Sequence, residues 1–222
     1  MEDIKRTKFN VSLLGDNSVG KTSICQVFLG HKFSENVLST IGIESTLISA
    51  KFDGKEYKFK IFDTAGQERY RSISNTTINL ADGFLLVFGV DDNKTFETLG
   101  EWIKSIEEKC DISKKVLFLV GNKIDKENRK VTKEEALSFA KTKKIRYFET
   151  SAKTGDGIKE IFNLLFEEVY KKSKEIENLE KAENDQNNSN KNKNPTITLE
   201  QNEINNKNKK AKEKKGGFCK IL

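Results

Sequence analysis

Apolar residues recur along this chain in two rhythms, and the alternation between them predicts its architecture. Phe9 to Leu14, carried by Val11, Leu13 and Leu14, reads as a first strand, and Ser23 to Leu29 as a helix stopped by Gly30. His31 to Ile43 shows no period and reads as a loop. Tyr57, Phe59 and Ile61 alternate with Lys58 and Lys60 on the far side of Asp53-Gly54, the pattern of a half-exposed antiparallel hairpin. Gly83 to Val90 (GFLLVFGV) and Val116 to Val120 (VLFLV) are continuous apolar runs, as strands buried on both faces read. Between them Phe96, Leu99, Trp102, Ile103 and Ile106 mark one helix from Phe96 to Cys110. Thr132 and Glu135 form a capping box that opens a helix to about Lys141. Ile145 to Phe148 is a short strand, and Ile158 to Tyr170 a last amphipathic helix. The order β-α-β-β-α-β-α-β-α-β-α predicts an α/β fold: a six-stranded, mostly parallel sheet with one antiparallel edge strand and five helices on its two faces. Ligands in such sheets lie beyond the carboxyl ends of the strands.

The loops at that rim hold the chemistry. Gly15-Asp16-Asn17-Ser18-Val19-Gly20-Lys21-Thr22 joins the first strand to the first helix and has the form G-x-x-x-x-G-K-[ST]. Its glycines let successive N–H groups curl around one phosphate chain, Lys21 can reach the β- and γ-phosphates, and the Thr22 hydroxyl can ligate Mg²⁺. Asp63-Thr64-Ala65-Gly66-Gln67 follows a buried strand. Its carboxylate can hold Mg²⁺, the Gly66 N–H can meet a γ-phosphate, and the Gln67 amide can orient a water. Asn122-Lys123-Ile124-Asp125 selects the base. Guanine offers N1–H and N2–H₂ side by side to the Asp125 carboxylate, whereas adenine would leave that carboxylate unpaired. Lys123 can lie along the base plane and Asn122 can tie this loop to the phosphate loop. Glu149-Thr150-Ser151-Ala152-Lys153 is expected to turn backbone N–H groups to guanine O6.

Composition divides the 222 residues unevenly. Charged residues make up 33% of the chain, and from Lys171 onward 13 Lys stand against 8 Asp/Glu, five of the six net positive charges. A nearly neutral body with a basic tail argues against nucleic-acid binding and puts any anionic partner at the tail. The three cysteines, Cys25, Cys110 and Cys219, form no metal or disulfide pattern, and the lone His31 reads as a surface residue. No apolar run is long enough to span a membrane. The tail, rich in Asn and Lys, predicts disorder. It ends in Cys219-Lys220-Ile221-Leu222, of C-a-a-X form, whose terminal Leu favours a geranylgeranyl group on Cys219. The six Lys between Lys207 and Lys215 add the second signal that stable anchoring needs.

GDNSVGKT, STIG, DTAGQERYRSI, VGNKID and ETSAK, in this order and spacing, resemble the Ras superfamily of small GTPases, and STIG with ERYRSI resembles its Rab branch. The resemblance implies a P-loop NTPase G domain over residues 9–172, after a flexible N-terminus at 1–8 and before a hypervariable basic tail at 173–222. It implies Mg²⁺ with GTP or GDP as ligand. The nucleotide contacts it implies begin with Gly15, Asn17, Ser18, Val19, Gly20, Lys21, Thr22, Ser23, Phe33 and Thr40. They continue with Asp63, Gly66, Asn122, Lys123, Asp125, Ser151, Ala152 and Lys153. Mg²⁺ falls to Thr22, Thr40 and Asp63, and slow hydrolysis to Gln67, Lys21 and Thr40. The switches would be Phe33 to Glu44 and Ala65 to Ile78, ordered with GTP and released with GDP. Implied partners are a nucleotide exchange factor, a GTPase-activating protein, effectors at the switches, a prenyltransferase and a GDI-like chaperone. The implied setting is a monomer on the cytoplasmic face of an endomembrane or the plasma membrane, cycling with cytosol and regulating vesicle traffic. A Ras-type signalling GTPase and a GTP-binding scaffold with little hydrolysis are the alternatives. Three departures stand out. The Rab effector-facing Phe, Trp and Tyr are replaced by Ser45, Phe62 and Thr77. Gly89 replaces the usual Asp after the fourth strand. Asn17 replaces a small residue near the attacking water, which predicts slower intrinsic hydrolysis.

Overall fold

The computed structural model describes residues 6–35, 40, 42–64 and 71–191. The chain divides into two units, Met1–Ala182 and Glu183–Leu222, and the fold below belongs to the first. Six strands, β1 (Lys8–Leu14), β2 (Ile43–Phe52), β3 (Lys55–Thr64), β4 (Gly83–Gly89), β5 (Val116–Asn122) and β6 (Arg146–Thr150), form one sheet in the order β2-β3-β1-β4-β5-β6. β2 runs antiparallel to β3 and every other pair is parallel, as the hydrophobic patterning predicts. The hairpin closes through Asp53 and Gly54, both at positive φ (49° and 73°), the two-residue turn whose twist matches the strands it joins.

The alternation of strand side chains builds a core on each face. Leu85 and Val87 of β4 point to one face with Phe9, Val11 and Leu13 of β1, under α1 (Lys21–Phe28) and α6 (Ile158–Lys191). Phe84, Leu86 and Phe88 point to the other, under Ile78 of α2 (Arg71–Leu80), Trp102, Ile103 and Ile106 of α4 (Leu99–Lys109), and Ala136 of α5 (Lys133–Lys143). The chain leaves β1 toward β3 and β2 and returns toward β4, so the strand order reverses beside β1. That reversal opens a crevice at the carboxyl ends, where the phosphate loop begins.

Three elements differ from expectation. The helix expected over Phe96 to Cys110 comes in two pieces, α3 (Asn93–Glu97) and α4, broken at Thr98, whose hydroxyl bonds Asp16 and Thr95. The first helix begins at Lys21, inside the phosphate loop, because Gly20 at φ 96° serves as its N-cap. The last helix continues past Tyr170 to Lys191, through the first part of the tail read as disordered. The first turns of its extension carry ion pairs one turn apart, Lys171–Glu167, Lys172–Glu175 and Lys174–Glu177, which support the helix there. Cys219 and the Lys-rich end lie outside the described residues, as do Gly66 and Gln67. Among the described residues no helix is long and apolar enough to cross a membrane.

Candidate functional site

A cleft of about 850 Å³ opens at the carboxyl rim, and four of its walls are the loops singled out by sequence. Asn17, Ser18, Gly20, Lys21, Thr22 and Ser23 line it from the phosphate loop and α1, and Phe33 and Thr40 from the following loop. Asn122, Lys123, Asp125, Ala152 and Lys153 line the opposite end. Gly15, Val19, Asp63 and Ser151 stand behind this lining and hold it. Thr64 of the Asp63 motif and Ser34 and Glu35 of the first switch also face the cleft, as do Lys126, Glu127 and Asn128, which no sequence motif marks.

The phosphate loop is pressed against its neighbours wherever it has a glycine. A Cβ on Gly15, at φ 134°, would sit 2.1 Å from the Val87 carbonyl oxygen of β4, and one on Gly20 would sit 2.4 Å from Asn122 Nδ2. Only glycine fits either place. Ser18 adopts φ 59°, a left-handed conformation that non-glycine residues seldom take, so the loop stores strain at its tip. Val19, almost fully buried, accepts a hydrogen bond through its carbonyl from Asn122 Nδ2 at 2.8 Å. Asn122 Oδ1 accepts from Thr150 Oγ1 (3.1 Å) and from the Ala152 N–H (3.2 Å). One buried amide therefore joins three loops that are distant in sequence.

Lys21 is 5% exposed, and its Nζ donates to the carbonyls of Gly15 (2.9 Å) and Asp16 (2.8 Å). Burial lowers its pKa to about 8, against the pull of Asp63 and Asp16. Beside it the Thr22 and Thr40 hydroxyls lie 2.7 Å apart. The Asp63 carboxyl, buried at the end of β3, has an Oδ1 with no hydrogen-bond partner. Burial raises the pKa of Asp63, while the Thr22 hydroxyl and the Lys21 amine pull it down. A buried carboxylate oxygen without a donor, beside two hydroxyls, is an all-oxygen set that fits a hard divalent cation such as Mg²⁺.

At the other end Asp125 Oδ1 accepts the Ser151 hydroxyl at 2.5 Å, which fixes the carboxylate. Lys123 takes φ 72°, and its amine lies 3.2 Å from Asp91 Oδ1, with Lys126 2.7 Å from Oδ2. Burial alone would raise the Asp91 carboxyl, but those two amines outweigh it and hold it below the usual carboxylate range. Asp91, two residues beyond Gly89, thus supplies the carboxylate for both amines, and a Cβ on Gly89 would strike Asp91 at 2.6 Å. In the loop Glu149 to Lys153, the Ser151 N–H donates to Asp156 O and the Ala152 N–H to Asn122 Oδ1. Glu149 is held by both terminal nitrogens of Arg129 at 2.9 Å and by the Tyr147 hydroxyl at 3.0 Å, which braces the loop from behind.

The replaced aromatic positions differ in kind. Ser45 is exposed on the edge strand. Phe62 is buried, with the Lys60 amine over its ring, and Thr77 is buried and hydrogen-bonded to Ser12 Oγ at 3.2 Å. Two of the three therefore serve the core and offer no surface to a partner. Sequence reasoning also missed Asp16, Asp91, Thr98, Trp102 and Arg129. A signal for Asp16 existed, since a carboxylate inside a phosphate loop needs a partner that turns it away from phosphate.

Comparison with known proteins agrees with this geometry. The Ras family matches residues 10–171. The chain is 40% identical over 166 residues to Ras-related protein Rab-13 of Canis lupus familiaris, covering 74% of this chain and 81% of that protein. It is 37% identical over 169 residues to Ras-related protein Rab-18-B of Danio rerio (76% and 82% covered). It is 35% identical over 163 residues to Ras-related protein Rab-18 of Caenorhabditis elegans (73% and 80%). Members of this family are GTP hydrolases that use GTP and GDP, generally with Mg²⁺, and work with exchange factors, activating proteins and effectors. A phosphate loop, a fixed base-reading carboxylate and a family match that spans both identify the chain as a Rab-like small GTPase of the Ras superfamily.

Proposed function

We propose that this chain is a GTP/GDP-switched regulator of vesicle-mediated membrane traffic that hydrolyses GTP slowly to GDP and phosphate. The observation that supports this best is the single amide of Asn122, which ties the phosphate loop at Val19 to the base end at Ala152. One ligand with a phosphate chain and a base would bridge the same two loops. In this reading the N–H groups of Gly15 to Thr22 and the Lys21 amine bind the phosphates, with Ser23 continuing the cradle. Asp125, oriented by Ser151, reads guanine N1–H and N2–H₂. Phe33, Lys123, Ala152 and Lys153 pack around the base. Thr22, Thr40 and Asp63 hold Mg²⁺, which when bound neutralises charge that develops on the phosphate oxygens. Gln67 orients the attacking water. Removal of its amide in Gln67→Leu is expected to slow single-turnover GTP hydrolysis by at least about tenfold and leave GDP affinity within about twofold. Equal hydrolysis rates would refute the role of Gln67.

The switch acts from a membrane in this proposal. A geranylgeranyl group on Cys219, delivered by a prenyltransferase and shielded in cytosol by a GDI-like chaperone, works with the Lys-rich stretch 207–215 at a cytoplasmic membrane face. The G domain is residues 9–172, acting as a monomer. Cys219→Ser is expected to move the protein to cytosol with nucleotide binding intact, and unchanged membrane partition would contradict the lipid anchor. A second reading, a Ras-type signalling GTPase, draws on the buried Thr77 and Phe62, which remove part of the surface that Rab effectors use. Plasma-membrane localisation without vesicles would favour it.

A further inference from the structure

The phosphate loop is fastened on one more side, by a residue that phosphate binding does not require. Asp16 puts a carboxylate into a loop that faces phosphates, and two negative groups at such range repel. Here both carboxylate oxygens are taken up by neutral donors. The Trp102 indole Nε1–H donates to Oδ1 at 2.8 Å, and the Thr98 hydroxyl donates to Oδ2 at 2.7 Å. Both donors come from the junction of α3 and α4, Thr98 being the residue at which that helix breaks. Trp102 is 4% exposed, so its ring is fixed by the core on that face of the sheet. The main-chain carbonyl of the same Asp16 accepts Lys21 Nζ at 2.8 Å. One residue therefore grips α4 with its side chain and the phosphate-binding amine with its backbone.

We propose that Asp16 is a positioning residue that sets the Lys21 amine from the α3–α4 junction, so that retention of nucleotide depends on a helix that does not line the cleft. The inference rests on the nucleotide reading given under Proposed function. The path is short and continuous: helix core to Trp102, Trp102 to the Asp16 carboxylate, Asp16 carbonyl to Lys21. The junction itself does not need Asp16 to keep Thr98 satisfied, because the Thr98 hydroxyl also has the Thr95 carbonyl at 3.2 Å. The hydroxyl has one proton, so its bond to the phosphate loop is made in place of that helix-closing bond. It also sets the direction of the carboxylate, away from the phosphates and into the helix junction.

The test is the release rate of a fluorescent GDP from the full chain in Mg²⁺, chased with unlabelled GDP. Trp102→Phe keeps an aromatic ring but removes the indole N–H together with part of the bicycle, whereas Thr98→Val keeps the shape and removes only the hydroxyl. Each is expected to speed release about three- to tenfold, and Asp16→Ala about tenfold or more. Unfolding temperature is expected to stay close to wild type in Thr98→Val and to fall in Trp102→Phe, which leaves a cavity at a buried site. Adding Trp102→Phe to Asp16→Ala is expected to change release by no more than about twofold, since the bond is already gone. Asp16→Asn can still accept from Trp102 through Oδ1 and donate to Thr98 through Nδ2. It is expected to recover release to within about threefold of wild type. Trp102 is the only tryptophan in the chain, so intrinsic emission reads this contact directly. Nucleotide release is expected to shift that emission in wild type and to leave it unshifted in Asp16→Ala. Release within about twofold of wild type in both Trp102→Phe and Thr98→Val would overturn the proposal, even if Asp16→Ala failed to fold. Asp16→Asn releasing as fast as Asp16→Ala would also overturn it, in favour of a pure charge effect. A wild-type chain that held no labelled GDP would refute the nucleotide reading itself, a result distinct from both.

Discussion

Asn122→Ala is the substitution whose consequences the structure specifies most fully. The side chain is 1% exposed and makes three hydrogen bonds, to Val19 O, Thr150 Oγ1 and the Ala152 N–H. Its removal leaves the Ala152 N–H and the wholly buried Thr150 hydroxyl without their acceptor, and the Val19 carbonyl without this donor. A buried polar group stripped of its partner costs about 1–3 kcal/mol, and the Thr150 hydroxyl can rotate to another acceptor, so two such groups give about 2–6 kcal/mol. The void borders the cleft, where water can enter, which puts the expectation near the lower half, about 3 kcal/mol. For a domain of this size each kcal/mol moves the unfolding midpoint by about 2–4 °C, so the midpoint should fall by about 6–12 °C. The two ends of the cleft also lose their tie. If the full cost falls on nucleotide retention, at about 1.4 kcal/mol per tenfold, GDP release rises on the order of a hundredfold. Thermal unfolding by circular dichroism and fluorescent-GDP release check both numbers on one preparation. A midpoint within about 2 °C of wild type together with release within about threefold would refute the keystone role of Asn122.

Asp125→Ala, which removes the carboxylate held by Ser151, is expected to weaken GTP binding by about a hundredfold or more without creating affinity for ATP, checked by equilibrium competition. Burial, with smaller contributions from Asp63 and Glu44, raises the Cys25 thiol from 9.0 to about 12, so at pH 8.5 native Cys25 should alkylate at least about a hundredfold more slowly than in the unfolded chain, read by mass spectrometry. The sign for stability follows from the same shift. Between pH 9 and about 12 the folded chain keeps a proton that the unfolded chain loses, so this contribution to stability is whole below pH 9 and falls as pH rises through that window. Asn17→Gly is expected to speed single-turnover GTP hydrolysis at least about threefold if the Asn17 side chain at the cleft wall crowds the attacking water, and equal rates would contradict that role.

What the sequence made legible follows from where single residues decide the outcome. The apolar runs of β4 and β5 leave no alternative to buried parallel strands, and Asp53-Gly54 leaves none to a tight hairpin. The phosphate-loop glycines were legible because their spacing is a backbone requirement, and the Val87 carbonyl 2.1 Å from a Cβ on Gly15 shows why. Tertiary pairings were not legible. Asp16 meets Thr98 and Trp102 from more than eighty positions away, and Asp91 meets Lys123 and Lys126 across a loop; no local pattern encodes such partners. The burial of Thr77 was not legible either, because a small hydroxyl can enter the core only where a partner such as Ser12 meets it. The first helical turns beyond Tyr170 were not legible because their ion pairs depend on one-turn spacing, which composition averages away.

The central claim is that the cleft selects a guanine nucleotide by joining a phosphate cradle to the Asp125 carboxylate. Isothermal titration of the nucleotide-stripped full chain in Mg²⁺, with GDP and ADP in parallel, tests it most directly. The expected result is one GDP bound per chain, at least about a hundredfold more tightly than ADP. Equal affinity for the two nucleotides, or no binding of either, would contradict it.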